Sequence, residues 1–196
     1  MGDASKTFTA FAGYRLIASG SLPSVAEAAK DWLDRDEGAP VLILDDDTCR
    51  VIEVDFRGTR EDVLKRLGDT PDPATEKPEQ RGPGRPRLGV VAREVTLLPR
   101  HWEWLNAQPG GASVALRKLV EEARRSSGSK DRVRQAQETL YRFMSTLAGD
   151  EAGFEEASRA LFAGDRKLFT ALVQLWPKDL RAYAERLAGP AFADAP

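Results

Sequence analysis

The sequence predicts an α+β protein: a small N-terminal ββαββα domain, a Pro-rich linker, then a short strand and a C-terminal helical bundle. Three observations predict it. Short β-branched and aromatic runs, punctuated by glycine, proline and aspartate, fill residues 1–68. Apolar residues nearly vanish in the stretch DTPDPATEKPE, which carries three prolines and cannot pack. Beyond residue 129, apolar side chains recur at three- and four-residue steps, the period of helices that bury one face. At 196 residues, 41% hydrophobic and 31% charged, the chain has the composition of a globular protein with a real core.

Each element follows from local chemistry. Thr7 to Ala12 and Tyr14 to Ser19 read as two strands around Gly13, and Pro23, after Ser21 and Leu22, opens an Ala-rich helix to about Asp34. Val41 to Leu44 form a continuous apolar run. After Asp45, Asp46 and Asp47, the segment Arg50 to Phe56 alternates, which predicts a hairpin with one buried face. A helix from Arg60 to Leu67 completes the domain at residues 1–68. Residues 69–89 form a flexible linker that ends in a basic arm, residues 90–128 a strand and two short helices, and residues 129–196 a helical region. In that last region Val133, Leu140, Phe143, Met144 and Leu147, then Phe154, Ala157 and Leu161, then Leu168, Leu172 and Leu175 mark the expected core stripes. Gly149 with Asp150, and Gly164 with Asp165, each pair a helix-ending glycine with a candidate N-cap, so the helices should fold back on one another.

Charge is unevenly distributed. The net charge of −2 averages an acidic start (10 basic and 17 acidic side chains in residues 1–80), a basic island (12 and 5 in residues 81–134) and a near-neutral end (7 and 9). Such an island either concentrates polyanions around it or docks against acidic surface of its own chain. One cysteine excludes an intrachain disulfide, no apolar run approaches the ~20 residues of a membrane span, and the N-terminus has no secretory pattern. A cytoplasmic location without membrane contact is expected.

Catalysis is not expected. His101 is the single histidine, no serine sits in a nucleophile-elbow setting, and one Cys with one His cannot supply a structural zinc site. Asp45, Asp46 and Asp47 lack the alternating ligand spacing of a calcium loop and read as a turn. Gly82, Gly84 and Gly89 lack dinucleotide spacing, and no Gly-Lys-Ser/Thr phosphate loop occurs. No catalytic residue, metal or cofactor is expected.

The basic island carries the functional expectation. Pro83 and Pro86 stiffen the arm, so Arg81, Arg85 and Arg87 project from a narrow backbone suited to a minor groove, where narrow A·T-rich DNA favours arginine. Gly84-Arg85-Pro86-Arg87 is similar to the core of an AT-hook, except that Pro83 stands where that core has arginine. A basic interdomain linker is the alternative. Next, Glu94-Val95-Thr96-Leu97 alternates as a strand, Pro99 suits a first helical turn, and Pro109, Gly110 and Gly111 make a tight connection. Ser113 is a candidate N-cap for a helix with Leu116, Leu119, Val120 and Ala123 on one face and Arg117, Lys118, Arg124 and Arg125 on the other. Trp102 and Trp104 cannot share a helix face, and each is expected to cap a different edge of the core.

From Arg93 to Arg125 this layout resembles the ribbon-helix-helix family of bacterial DNA-binding proteins. The resemblance implies a homodimer whose paired strands lie in the major groove of double-stranded DNA. With Val95 and Leu97 inward, Thr96 faces a base; the opposite register presents Arg93. The turn into the second helix implies backbone contacts to phosphate near Ser113, with Arg100 and Arg117 adding charge. At whole-chain scale, REVTLLPRHWEWLNAQPGGASVALRKLVEEARR followed by YRFMSTLAGDEAGFEEASRALFAGD is similar to an uncharacterised bacterial family, domain of unknown function 2239. That likeness implies no activity. The expectation is a DNA-binding, transcription-regulating homodimer; the alternative is a non-enzymatic interaction or regulatory module whose basic segment pairs with acidic partners.

Overall fold

The computed structural model describes residues 6–35, 38–69, 91 and 93–193. They fall into two compact units: residues 1–71 with 129–196, and residues 72–128.

In the first unit, β1 (Phe8–Ala12), β2 (Arg15–Gly20), β3 (Val41–Asp45) and β4 (Val51–Ile52) form an antiparallel sheet in the order β2-β1-β3-β4. Two helices accompany them in the sequence order ββαββα: α1 (Leu22–Asp34) and α2 (Arg60–Asp69). Ser21 caps α1 by accepting from the Ser24 N–H, with a proline in its first turn. The sheet is α+β in class, as the sequence predicts.

The sheet has two buried faces, not the single one expected. Phe8, Ala10 and Ile43 pack with Val25, Ala26, Ala29 and Val63 of α1 and α2. Phe11 and Leu44, on the opposite face, join a larger core with the C-terminal helices. Alternation along a strand sends successive side chains to opposite faces, so a strand covered on both sides must be apolar at every position. This explains why VLIL is a continuous apolar run and why FTAFA is apolar except at Thr9, whose buried hydroxyl is bonded to Ser19 and Asp46. It also corrects the expected boundary at residue 68: the N-terminal sheet and the 129–196 helices are one body, because half of the sheet's apolar surface has no other cover. The second strand of the expected hairpin is short as well, with only Val51 and Ile52 paired, to Leu44 and Ile43.

The covering helices are the distal part of α4 (Gly111–Leu147), then α5 (Phe154–Ala163), α6 (Arg166–Val173) and α7 (Lys178–Ala191). Leu140, Phe143, Met144 and Leu147 of α4, with Ala157 and Leu161 of α5, are buried as the stripes predict. In α6 the phase differs by one residue. Phe169, Val173 and Trp176 are buried, Leu172 packs partly, and Leu168 and Leu175 are exposed, the latter by 72%. Larger rings take the core positions, and the Trp176 indole N–H donates to the Ala152 carbonyl at 3.1 Å. Gly164 ends α5 in a left-handed conformation, and Asp165 caps α6 by accepting from the Leu168 N–H at 2.9 Å. The corresponding roles at Gly149 and Asp150 do not form; the left-handed residue before α5 is Gly153.

In the second unit the described elements are α3 (Pro99–Asn106) and the start of α4. Residues 93–98 have no strand structure, contrary to the expected strand at Glu94 to Leu97. A strand needs a hydrogen-bonding neighbour, and none of the described residues supplies one. The helix expected from Ser113 to Arg125 begins at Gly111 and runs on through Ser126, Ser127, Gly128 and Ser129 to Leu147. Back-bonding of the kind Ser126 makes to the Ala123 carbonyl at 3.1 Å lets hydroxyl residues sit inside a helix.

Candidate functional site

The α3–α4 turn is built on glycine. Gly110 and Gly111 have φ of 87° and 73°, and a Cβ on Gly110 would lie 3.1 Å from the Val114 side chain. Because the helix starts two residues early, Ser113 is an exposed first-turn residue and not the cap. The Gly111 N–H is spent on the Gln108 carbonyl at 2.9 Å, so it is not one of the amides offered to a phosphate.

Exposed cations and hydroxyls flank α3 and open α4 in sequence. Arg93, Thr96, Arg100, Ser113, Arg117 and Lys118 are all exposed. Arg117 donates to the Ser113 carbonyl of its own helix at 3.0 Å, and Arg124 pairs with Glu121 at 2.9 Å. Among the described residues no ion pair involves Arg93, Arg100, Lys118 or Arg125. Arg81, Arg85 and Arg87 lie outside the described residues.

The same unit leaves much apolar surface open. Only Leu105 and Ala115 are buried among its described apolar residues. Val91, Val95, Leu98, Leu119 and Val120 are exposed, and so are Trp102 and Trp104, at 36% and 53%. Neither indole therefore caps a core edge as expected. His101 is likewise exposed in the first turn of α3.

A second constellation, in the first unit, was not foreseen. Asp45 closes the β3–β4 turn by accepting from the Asp47 N–H, the Thr48 N–H and the Thr48 hydroxyl at 2.8–3.0 Å, which fits the turn reading of the acidic triplet. Asp46 instead points inward. Its Oδ1 accepts from the Tyr183 hydroxyl and the Thr9 hydroxyl, each at 2.7 Å, and from Arg186 at 3.2 Å. The Arg186 guanidinium also stacks on the Tyr183 ring at 4.2 Å. Burial opposes ionisation of Asp46, but these bonds, the Thr7 hydroxyl and the Arg186 charge outweigh it, so the carboxyl titrates below its ordinary value.

Helix α4 grips the same loop. Arg142 donates to the Thr48 carbonyl and Thr139 to the Asp47 carbonyl. Cys49, fully buried with φ of 50°, has its thiol pushed up to about 11, chiefly by burial. A thiol held protonated is a poor nucleophile. The cluster joins sheet to helices and offers no activated group. The available signals were a threonine inside an apolar strand and an acidic run longer than its turn requires; the distant tyrosine carries no local mark.

Among the described residues there is no group of three or more His, Cys, Asp or Glu able to hold a metal, and no helix long and apolar enough to cross a membrane. An antiparallel sheet clasped between helical layers defines an α+β protein. The family model described as "Uncharacterized protein conserved in bacteria (DUF2239)" matches residues 7–188, and the chain belongs to that family. No curated protein and no solved structure matches it.

Proposed function

We propose that the protein is a homodimeric, double-stranded-DNA-binding regulator that uses the basic segment from Arg81 to Arg125. The observation that carries this reading is the surface of residues 91–125, where unpaired cations and open apolar side chains stand together. Among its described residues this unit buries only Leu105 and Ala115, and a second copy is the simplest cover for Val95, Leu98, Leu119 and Val120. Pairing of residues 94–97 with the same segment of that copy would supply the missing strand neighbour. Arg93, Arg100, Arg117 and Lys118 then flank the pair, with the arm at Arg81, Arg85 and Arg87 reaching along the groove.

Fluorescence anisotropy with A·T-rich and G·C-rich duplexes at several salt concentrations tests this. Binding led by phosphate contacts weakens steeply with salt, by ~10³-fold or more between 50 and 200 mM if about six phosphates are neutralised. Arg100→Ala with Arg117→Ala should weaken binding to both duplexes, and Arg85→Ala with Arg87→Ala should weaken the A·T-rich complex more. Absence of binding at low salt would return the basic segment to the alternative role of pairing with an acidic protein.

A further inference from the structure

One groove in the first unit lies beside the Asp46 cluster, where Leu187 packs at the edge of the core. Its polar lining includes Asp46, Asp47, Arg132 and Gln135, its apolar lining Leu187 and Pro190, and it is an open groove of about 360 Å³. That is within the ~300–1,000 Å³ of small-molecule sites. Three features of its chemistry restrict what fits.

First, the Asp46 side chain is only 10% exposed, and all three of its short bonds fall on Oδ1. The Thr7 hydroxyl supplies a further bond, so Asp46 lines the groove as a fixed carboxylate already satisfied by the fold. Second, Asp47 makes no ion pair with its side chain among the described residues; its polar contacts go through its backbone. Third, Arg132 lines the same groove, yet forms no ion pair with either aspartate among the described residues. Opposite charges that share a cavity without closing on one another leave room for a molecule that bears both signs. A simple cation would meet Arg132, and a simple anion would meet two carboxylates.

We propose that this groove binds a free amino acid with an aliphatic side chain. Its ammonium group is held by Asp47, its carboxylate by the forked guanidinium of Arg132, and its side chain by Leu187 and Pro190. The proposal stands independently of DNA binding.

The test titrates L-leucine into the full-length ¹⁵N-labelled chain, beside isoamylamine, which lacks the carboxylate, and 4-methylpentanoate, which lacks the amine. L-Leucine should give saturable shifts at the Gln135 and Thr139 amides, and each probe missing one charge should bind at least about tenfold more weakly. Asp47→Asn and Arg132→Gln, both at exposed positions, should each weaken L-leucine by about tenfold while the resonances of α5 and α6 stay in place. No saturable shift up to about 10 mM overturns the proposal. So does equal affinity for isoamylamine, or unchanged affinity in both variants.

Discussion

Asp46 ties β1 and α7 to the turn after β3 through Thr9, Tyr183 and Arg186, and weakening it should be felt at two levels. Tyr183→Phe takes one donor from a nearly buried carboxylate and should cost about 1–3 kcal/mol in denaturant unfolding. The carboxyl's pKa is lowered in the fold, so its contribution is present above the ordinary value of 3.8 and is lost as pH falls through the folded value. Between about pH 5 and pH 2 the wild type should therefore lose more unfolding free energy than Asp46→Asn, whose side chain does not titrate. Cys49 gives a complementary readout. With its pKa raised to about 11 and no exposure, it should react with a thiol reagent at pH 8 only after denaturant is added; prompt labelling of the native chain would contradict the burial.

Elements were legible where their cause is local. Pro23 after Ser21, the continuous run at Val41 to Leu44, and Gly164 before Asp165 each specify a start, a strand or a stop through φ restriction, burial or capping, and each stands where the sequence puts it. What failed depends on partners. The strand at Glu94 to Leu97 needs a neighbour the chain does not provide among its described residues. The phase of α6 depends on whether Phe169 or Leu168 better fills a space made by other helices. The continuity of α4 through Ser126 to Ser129 overrides weak propensities, because the helical turns on either side fix the backbone cooperatively. The candidate site was legible in the same measure: exposed cations could be read from composition, whereas the Asp46 cluster joins residues far apart in sequence. At the turn between α3 and α4, Gly110→Ala should cost about 1–2 kcal/mol through its positive φ and its approach to Val114, seen as loss of helical signal at a lower temperature.

At the scale of the molecule, the first unit is assembled from the two ends of the sequence. A fragment of residues 1–71 would leave the Phe11 and Leu44 face of its sheet bare, and should show collapsed, poorly dispersed amide spectra. Mixing it with a fragment of residues 129–196 should restore dispersion, because the two supply complementary halves of one core. A well-dispersed spectrum from the first fragment alone would mean that α1 and α2 suffice. Phe11→Ala in the intact chain should cost about 3–5 kcal/mol, since the ring is fully buried against Phe143 and Tyr183.

The bond between Asp46 and Tyr183 closes a span of 137 positions. A ribosome adding about 5–20 residues each second leaves the strand surface waiting on the order of 10 s for its cover. During that interval the nascent chain displays an oily sheet face beside unpaired edges, the kind of surface that early-binding chaperones shield. Yield in the cell should thus depend on how quickly the last helices emerge, as much as on how firmly the finished protein holds together.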